Sequence, residues 1–529
     1  MLTKRQEEFY DWVFYQIYPR SFKDSNGDGI GDLRGIIEKL DYIKELGVNA
    51  VWLSPCYKSP NDDNGYDISD YCDIMDEFGT MADWKLMIEE MHKRGIRLIM
   101  DLVANHTSSE HRWFREARKS KDNPYRDYYY WADEPLNDWK ASFGGSAWEY
   151  DPMTGQYYLH SYAVSQPDLN WENPKVREEM VKVVDFWVDL GVDGFRCDVL
   201  DQISKDIKND VFMNGPRLHE YIRQLFDREK TRNIFTVGEC WGANAENIRK
   251  LVDGSRHELS GVFQFEHMCV GRKKKYTPPV FELDEVWDIF VKWQNLMQEN
   301  ELLYMLFWEN HDRPRAVSYY ANDREMRFES ATMLATMCYL QKGVPFIYQG
   351  QEIGVTNNIS DRIEDYEDIE ALNYYNENIG SVSHDALMAG LNSESRDHAR
   401  HPMPWNGNAD SGFGSEKPWF GLYNRYKEIN VEKDIASEKS VYRYFKELLK
   451  VRSESNAVRH GRFEDLTDGR HGCCVYKMSD GSETVFVICN FEHENKIEVD
   501  FDGEIILANC KRDEICGVYA PYECAVIKG

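Results

Sequence analysis

A chain of 529 residues is too long for one ordinary core, so two or more domains are expected, one of them of barrel size. Hydrophobic content of 42% and aromatic content of 14% supply large cores, which excludes a disordered chain. A formal charge of −29 excludes nucleic acid and anionic membrane as expected partners and fits a protein acting on a neutral substrate.

The first residues, MLTKRQEEFYDW, lack the basic segment and apolar run of a secretory signal, and no stretch has the length of a membrane span. The twelve cysteines are scattered without a C-x-x-C pair, so reduced, buried thiols are expected, and with them a cytoplasmic location. Cys197 and Cys240 each neighbour a candidate site carboxylate, but strand alternation puts them on the opposite face, as packing.

In chain order, short apolar runs alternate with helical patterns between residues 12 and 350. Strands are expected at Val13–Tyr18, Ala50–Ser54, Ile96–Val103, Val192–Cys197, Ile234–Gly238, Val262–Phe265, Leu302–Trp308 and Val344–Tyr348. DSNGDGIGD, from Asp24 to Asp32, has oxygen-bearing side chains at alternate positions and glycines for a tight turn, like the start of an EF-hand loop. Its twelfth position is Gly35 rather than Glu, so the residues themselves read as an Asx-rich turn with Asp32 as a helix N-cap. Leu33, Ile36, Ile37, Leu40, Ile43 and Leu46 then share one helical face, with Gly47 as the stop. After Asn173 as cap and Pro174 in the first turn, Val176, Met180, Val183, Val184, Trp187 and Leu190 repeat that pattern up to Gly191.

Eight strands with helical connections point to a (β/α)8 TIM barrel, with a doubly wound open sheet as the alternative. The expected division is a barrel over 1–103 and 174–459, a small inserted domain after strand three over 104–173, and a C-terminal antiparallel β domain, a sandwich, over 460–529. The insertion is inferred because a structureless loop of that length is improbable. A second excursion, from Val355 to about Lys417, reads as acidic and irregular. The last seventy or so residues hold short strand patterns such as Cys473–Met478, Thr484–Cys489 and Cys524–Lys528.

Several strand ends carry chemistry. Strand three reads DLVANH, with Asp101, Asn105 and His106; strand four GFRCDVL, with Arg196 and Asp198; strand five GEC, with Glu239; strand seven ENHD, with His311 and Asp312. In a barrel these ends meet at one face. Arg196 and Asp198, two apart in a strand, share a side, so the guanidinium is expected to keep the carboxylate ionised. Burying Asp198, Glu239 and Asp312 together without a task is costly. Two convergent carboxyls with unlike neighbours suggest glycoside hydrolysis: Asp198 as nucleophile and Glu239, after an apolar run, as the acid with a raised pKa. Asp312 then stabilises the oxocarbenium-like transition state. A metal cluster of the same residues is the competing reading, disfavoured by the absence of H-x-H or H-E-x-x-H spacing.

The motifs DLVANHTS, GFRCDVL, TVGECW, ENHD and QPDLN together resemble those of the α-amylase family of glycoside hydrolases, along nearly the whole chain. YQIYPRSFKDSNGDGIGDLRGI, SPNDDNGYDISDY, FQFEHM and PFIYQGQEIG bring the resemblance nearest to the oligo-1,6-glucosidase and dextran glucosidase group. The resemblance implies a retaining mechanism through a covalent glucosyl-enzyme, with Asp198 as nucleophile, Glu239 as acid/base and Asp312 as stabiliser. It also implies pocket residues: Asp63 paired with Arg400 at the non-reducing end, Tyr66 and Phe143 against the sugar ring, and Gln166, His106 and His311 on hydroxyls. Val199, after the nucleophile, matches the α-1,6-active pattern, and Trp241 resembles a leaving-sugar platform. Members of the group bind Ca²⁺, sometimes assigned as Mg²⁺, in the Asp24–Asp32 loop; this carries over to Asp24, Asn26, Asp28, the Ile30 carbonyl and Asp32, as a structural ion with no cofactor in catalysis.

Glu309 stands where the group usually has Asn, Arg313 where it often has Gln, and HPMPW follows Arg400 where TPMQW is usual. Arg272–Lys275, RKKK, is the one dense basic run, read as a solvated loop or as a phosphate contact. The expected protein is a cytoplasmic, exo-acting α-glucosidase, monomeric or weakly oligomeric, that takes glucose from isomaltose and short isomalto-oligosaccharides. The alternatives are a hydrolase of trehalose 6-phosphate or another phospho-α-glucoside, a sucrose or maltose α-glucosidase, and a transglucosylase. A non-catalytic binding subunit is disfavoured by the intact carboxylates.

Overall fold

The computed structural model describes residues 2–529. At its centre stand eight parallel strands: β1 (Phe14–Ile17), β2 (Ala50–Leu53), β3 (Arg97–Val103), β4 (Gly194–Asp198), β5 (Phe235–Glu239), β6 (Gly261–Phe263), β7 (Met305–Leu306) and β8 (Val344–Tyr348). They are hydrogen-bonded in the order β6-β5-β4-β3-β2-β1-β8-β7. β6 and β7 lie side by side at the seam, so the sheet curls into the expected barrel. β7 is shorter than its apolar run, because its ladder to β8 meets Pro345 opposite Leu306, and proline has no N–H to give.

The period of two along each strand sorts the side chains. Phe14, Trp52, Ile99, Phe235, Val237, Phe263, Met305 and Phe346 pack together inside the barrel. Their neighbours Tyr15, Val51, Leu53, Leu98, Met100, Phe195 and Cys197 belong to the outer core under the helices, and Cys240 joins them as packing. Toward the C-terminal ends of the strands the inward positions turn polar, at Asp101, Arg196, Asp198 and Glu239. The register sets Asp101 opposite Arg196 and Val103 opposite Asp198.

The first helical face forms as two helices, α1 (Leu33–Glu38) and α2 (Leu40–Leu46), because Lys39 leaves helical geometry at φ −108°, ψ 3°. Asp32 caps α1 and Gly47, at φ 103°, ends α2, as their residue types require. α3 (Pro174–Asp189) starts on Asn173 and buries Val176, Met180, Val183, Val184 and Trp187. Below α2, Glu352 accepts hydrogen bonds from Tyr15 and Tyr42, tying helix to barrel.

Between β3 and α3 the insertion holds a three-stranded antiparallel sheet of Trp131–Ala132, Gln156–Leu159 and Trp148–Asp151. It is fastened at its base by the buried Lys205, whose ammonium meets Asp168 at 3.0 Å and Asn105 Oδ1 at 2.6 Å. The second excursion is more regular than its composition announces. Helices Ile369–Asn378 and His384–Glu394, capped by Asp368 and Ser383, pack on each other and on Tyr276 and Tyr366. Their apolar faces are narrow, which is why periodicity fails to reveal them.

At the C-terminal end β9 (Arg462–Asp465), β10 (Cys473–Ser479), β11 (Thr484–Asn490), β12 (Glu504–Ala508) and β13 (Cys524–Lys528) make an antiparallel sheet in the order β9-β10-β11-β13-β12. One face packs with Ile497 and Tyr519 of a two-stranded ribbon. The other faces α4 (Arg327–Tyr339), where the Tyr476 hydroxyl donates to the Thr336 carbonyl.

Candidate active site

At the C-terminal end of the barrel a cavity of about 630 Å³ opens between the barrel, the insertion and the second excursion. Asp63, Tyr66, His106, Phe143, Asp198, Val199, Glu239, Trp241 and Asp312 line it. Arg196, His311, Gln166 and Arg400 are buried behind these residues, bonded to them instead of forming the wall themselves.

The floor is organised by one guanidinium. Arg196 Nη1 lies 2.7 Å from Asp198 Oδ1 and 2.5 Å from Asp101 Oδ1, and Nη2 donates to Glu239 Oε2. Asp101 is held in turn by the Trp52 indole at 2.8 Å and the Tyr66 hydroxyl at 3.2 Å. The strand alternation that put Arg196 beside Asp198 in sequence therefore also brings Asp101 and Glu239 onto the same cation.

Three carboxyl groups on one guanidinium carry more negative charge than it neutralises. Burial raises the Asp198 pKa well above the carboxylate range, Glu239, Asp101 and Asp312 add to this, and Arg196 opposes it without winning. The expectation that Arg196 alone settles the charge of Asp198 is thus revised: burial and three other carboxyl groups act against it. The apolar setting expected for Glu239 is revised as well. Its carboxyl receives N–H donors from Arg196, from the Trp241 indole at 2.9 Å and from the Val199 backbone at 3.3 Å.

Asp312 is the opposite case. Burial raises its pKa, but the charge and hydrogen bond of His311 and the guanidinia of Arg396 and Arg400 outweigh it and hold the group well below the usual range. The contacts are His311 Nε2 at 2.9 Å, Arg400 Nη2 at 2.8 Å and Arg396 Nη1 at 3.2 Å. Of these, Arg396 escapes sequence reasoning, although it stands four residues before Arg400, at the N-cap of the turn Asp397–Arg400. It also takes the place expected of Arg400 beside Asp63, at 3.8 Å, whereas Arg400 turns to Asp312 and Asp368. Asp63 accepts from Gln166 Nε2 at 3.0 Å, and burial pushes its pKa up to about 7.

His106 sits within 3.2 Å of Gln166 Nε2, and burial lowers its pKa to about 4, so it faces the cavity uncharged at neutral pH. Tyr66 stacks on His311 at 5.2 Å, and its hydroxyl lies 2.6 Å from His311 Nε2. Phe143 packs under Arg396, 4.8 Å from its ring centre. Val199 adopts φ 35°, ψ 44°, a left-handed conformation that strains a β-branched residue. The kink turns the chain sharply after Asp198 and leaves the Val199 side chain in the cavity wall. Trp241 is 44% exposed and stacks on Phe265 at 4.2 Å, 12° from parallel, which leaves its other face free as a platform.

The catalytic-domain model of the α-amylase family matches residues 16–461. The chain belongs to the α-amylase family. Among curated relatives, an oligo-1,6-glucosidase of Parageobacillus thermoglucosidasius is 50% identical, over 92% of this chain and 90% of its own. A glucan 1,6-alpha-glucosidase of Streptococcus pneumoniae is 42% identical, over 98% of both chains. Among solved structures, the trehalose-6-phosphate hydrolase of Bacillus licheniformis matches with a TM-score of 0.93 at 39% identity, over 98% of this chain and 99% of that one. A trehalulose synthase matches with a TM-score of 0.94 at 38% identity, over 98% and 100%.

Two departures from this family's motifs lie off the cavity. Glu309 is buried against Arg315 and the Ala316 amide, and His401 stacks on Phe420. Arg313 lines the cavity. The Asp24–Asp32 loop contributes nothing to the cavity wall. Its donors are all oxygen, the class a hard cation requires. Here Asp24 accepts from the Asn26, Gly27 and Gly29 amides, Asp28 from the Ile30 amide, and Asp32 from Ser25 and Gly35. Among the described residues no three acidic, His or Cys side chains are grouped to hold a metal ion.

Asp198→Asn preserves size and the Arg196 contact while replacing one carboxylate oxygen with an amide nitrogen. Turnover of p-nitrophenyl α-glucoside is expected to fall by at least about 1,000-fold with the circular dichroism spectrum unchanged. Activity within a few-fold of wild type would exclude Asp198 as the nucleophile.

Proposed function

We propose that the chain is a retaining, exo-acting α-glucosidase that removes glucose from the non-reducing ends of isomaltose and short isomalto-oligosaccharides. The observation that carries the mechanism is the shared guanidinium: Arg196 holds an oxygen of Asp198 and one of Glu239 at once. Retaining glycosidases need their two carboxyl groups about 5–5.5 Å apart, and one guanidinium fork keeps a pair that close.

Glu239, as general acid, gives a proton to the glycosidic oxygen as Asp198 attacks the anomeric carbon, so the bond to the leaving sugar breaks as the glucosyl–Asp198 ester forms. Glu239, now ionised, takes a proton from water, whose oxygen displaces Asp198 and releases glucose with its anomeric configuration retained. Asp312, ionised throughout, holds sugar hydroxyls more tightly as positive charge develops on the ring. Asp63, between Gln166 and Arg396, grips the non-reducing end, while Tyr66, Phe143 and His106 surround the ring.

The α-1,6 assignment is supported by the oligo-1,6-glucosidases and glucan 1,6-alpha-glucosidases among the relatives and by Val199 in the cavity wall. A cytoplasmic location is part of this proposal. Among the described residues no helix is long and apolar enough to cross a membrane. Val199→Thr is expected to shift the kcat/KM ratio of isomaltose to maltose toward maltose by about tenfold, the scale of one methyl-sized contact. An unchanged ratio would remove Val199 as a determinant.

A structural Ca²⁺ bound through Asp24, Asn26, Asp28, the Ile30 carbonyl and Asp32 is part of this proposal, supported by the donor class. Binding to the native state alone raises Tm by mass action. Melting in CaCl₂ is therefore expected several degrees above melting in EGTA, and coincident curves would retire the ion.

A further inference from the structure

The strand ends that carry Asp198 and Glu239 are joined by a residue behind the cavity wall. β4 ends at Asp198, the left-handed Val199 turns the chain, and the short turn Leu200–Gln202 buries Asp201 completely. Asp201 Oδ2 accepts the Gly242 amide at 2.7 Å, three residues beyond Glu239 at the end of β5. The Asp201 carbonyl accepts the Asn214 amide at 2.7 Å, and Asn214 Nδ2 donates to the Gly242 carbonyl at 3.2 Å. Three segments of the cavity rim, after β4, after β5 and around residues 212–214, therefore close on one side chain.

Gly242 shows how tightly they close. A Cβ there would stand 2.1 Å from Asn214 Nδ2, 2.9 Å from the Met213 sulfur and 3.1 Å from Asp201 Oδ2. Glycine lets the backbone come that near. What the clasp fixes is the stretch from Glu239 to Gly242. Within it the Trp241 indole donates to Glu239 Oε1 at 2.9 Å and leaves one ring face to the cavity.

A buried carboxyl is a costly way to hold one amide. Asp201 Oδ1 has no hydrogen-bond partner among the described residues. Burial pushes the Asp201 pKa up to about 7; the Gly242 amide pulls it down, and the nearby Glu239 carboxyl pushes it up. A group kept at that cost, yet away from the cavity surface, acts through what it holds.

We infer that Asp201 is a positioning residue for the proton transfer: by holding the Gly242 amide it fixes Glu239 and Trp241 against the bond to be broken. The inference rests on the reading of Glu239 as the general acid. An acid out of place donates poorly, and the loss falls on leaving groups that need the proton. Phenolate needs it; p-nitrophenolate, a far weaker base, leaves largely without it.

The test is kcat/KM for phenyl α-glucoside against p-nitrophenyl α-glucoside in Asp201→Ala, Asp201→Asn and Glu239→Gln beside the wild type. In Asp201→Ala the phenyl glucoside is expected to lose about 100-fold, the scale of a catalytic group displaced by about 1 Å, and the p-nitrophenyl glucoside less than about fivefold. Asn keeps an oxygen for the Gly242 amide, so Asp201→Asn is expected to return both substrates to within about threefold of wild type. Asp201→Leu, similar in shape and without an acceptor, is expected to repeat the Ala result and replaces it if Asp201→Ala does not fold. Equal losses on the two glucosides, or none, would overturn the inference, as would Asp201→Asn behaving like Asp201→Ala. Glu239→Gln separates the two readings. Equal losses there would reject Glu239 as the acid, and the inference with it. Selective loss there, with equal losses in Asp201→Ala, would reject the inference alone.

Discussion

One buried guanidinium sets the terms for this active site. Arg196 is 2% exposed and is the shared partner of Asp101, Asp198 and Glu239, residues contributed by three adjacent strands. Without it three carboxyl groups in a low-dielectric floor would repel one another unopposed; with it they share one cation. Glycoside hydrolysis by two carboxyls needs such a closely held pair, since one group must give a proton while the other attacks. The barrel makes the arrangement possible, because a parallel ladder in register sets Asp101 opposite Arg196 and Val103 opposite Asp198.

The second charged layer works in the other direction. Asp312 is surrounded by His311, Arg396 and Arg400, which outweigh burial and hold its pKa well below the usual range, whereas burial raises that of Asp198. Two acids in one cavity are thus driven in opposite directions by their surroundings. The cations continue past Asp312 to Arg313 and the basic segment after β6.

Much of this was legible from period and spacing. The two-residue repeat in GFRCDVL places Arg196 and Asp198 on one face, and the same rule sends Cys197 and Cys240 into the outer packing, where they are found. Asn173, Pro174, Asp32 and Gly47 mark helix ends through local chemistry alone, and all four do so in the fold. What escaped reading depends on contacts distant in sequence. That Asp63 faces Arg396 instead of Arg400 is decided by how the Asp397–Arg400 turn sits over the barrel, which no local pattern encodes. Burial likewise reverses the balance at Asp198, because the cost of desolvation depends on everything packed above the strand. The helices of the second excursion were hidden for a related reason: their stability comes from packing on Tyr276 and Tyr366 more than from their own periodicity.

The central claim is that Asp198 and Glu239, gathered on Arg196, act in succession from opposite faces of one anomeric carbon. Proton NMR of the first glucose released from an α-glucoside, recorded before mutarotation, tests it most directly. The account predicts the α-anomer first, followed by slow appearance of the β-anomer. The β-anomer appearing first would mean that water attacks directly across a wider gap, which contradicts the account.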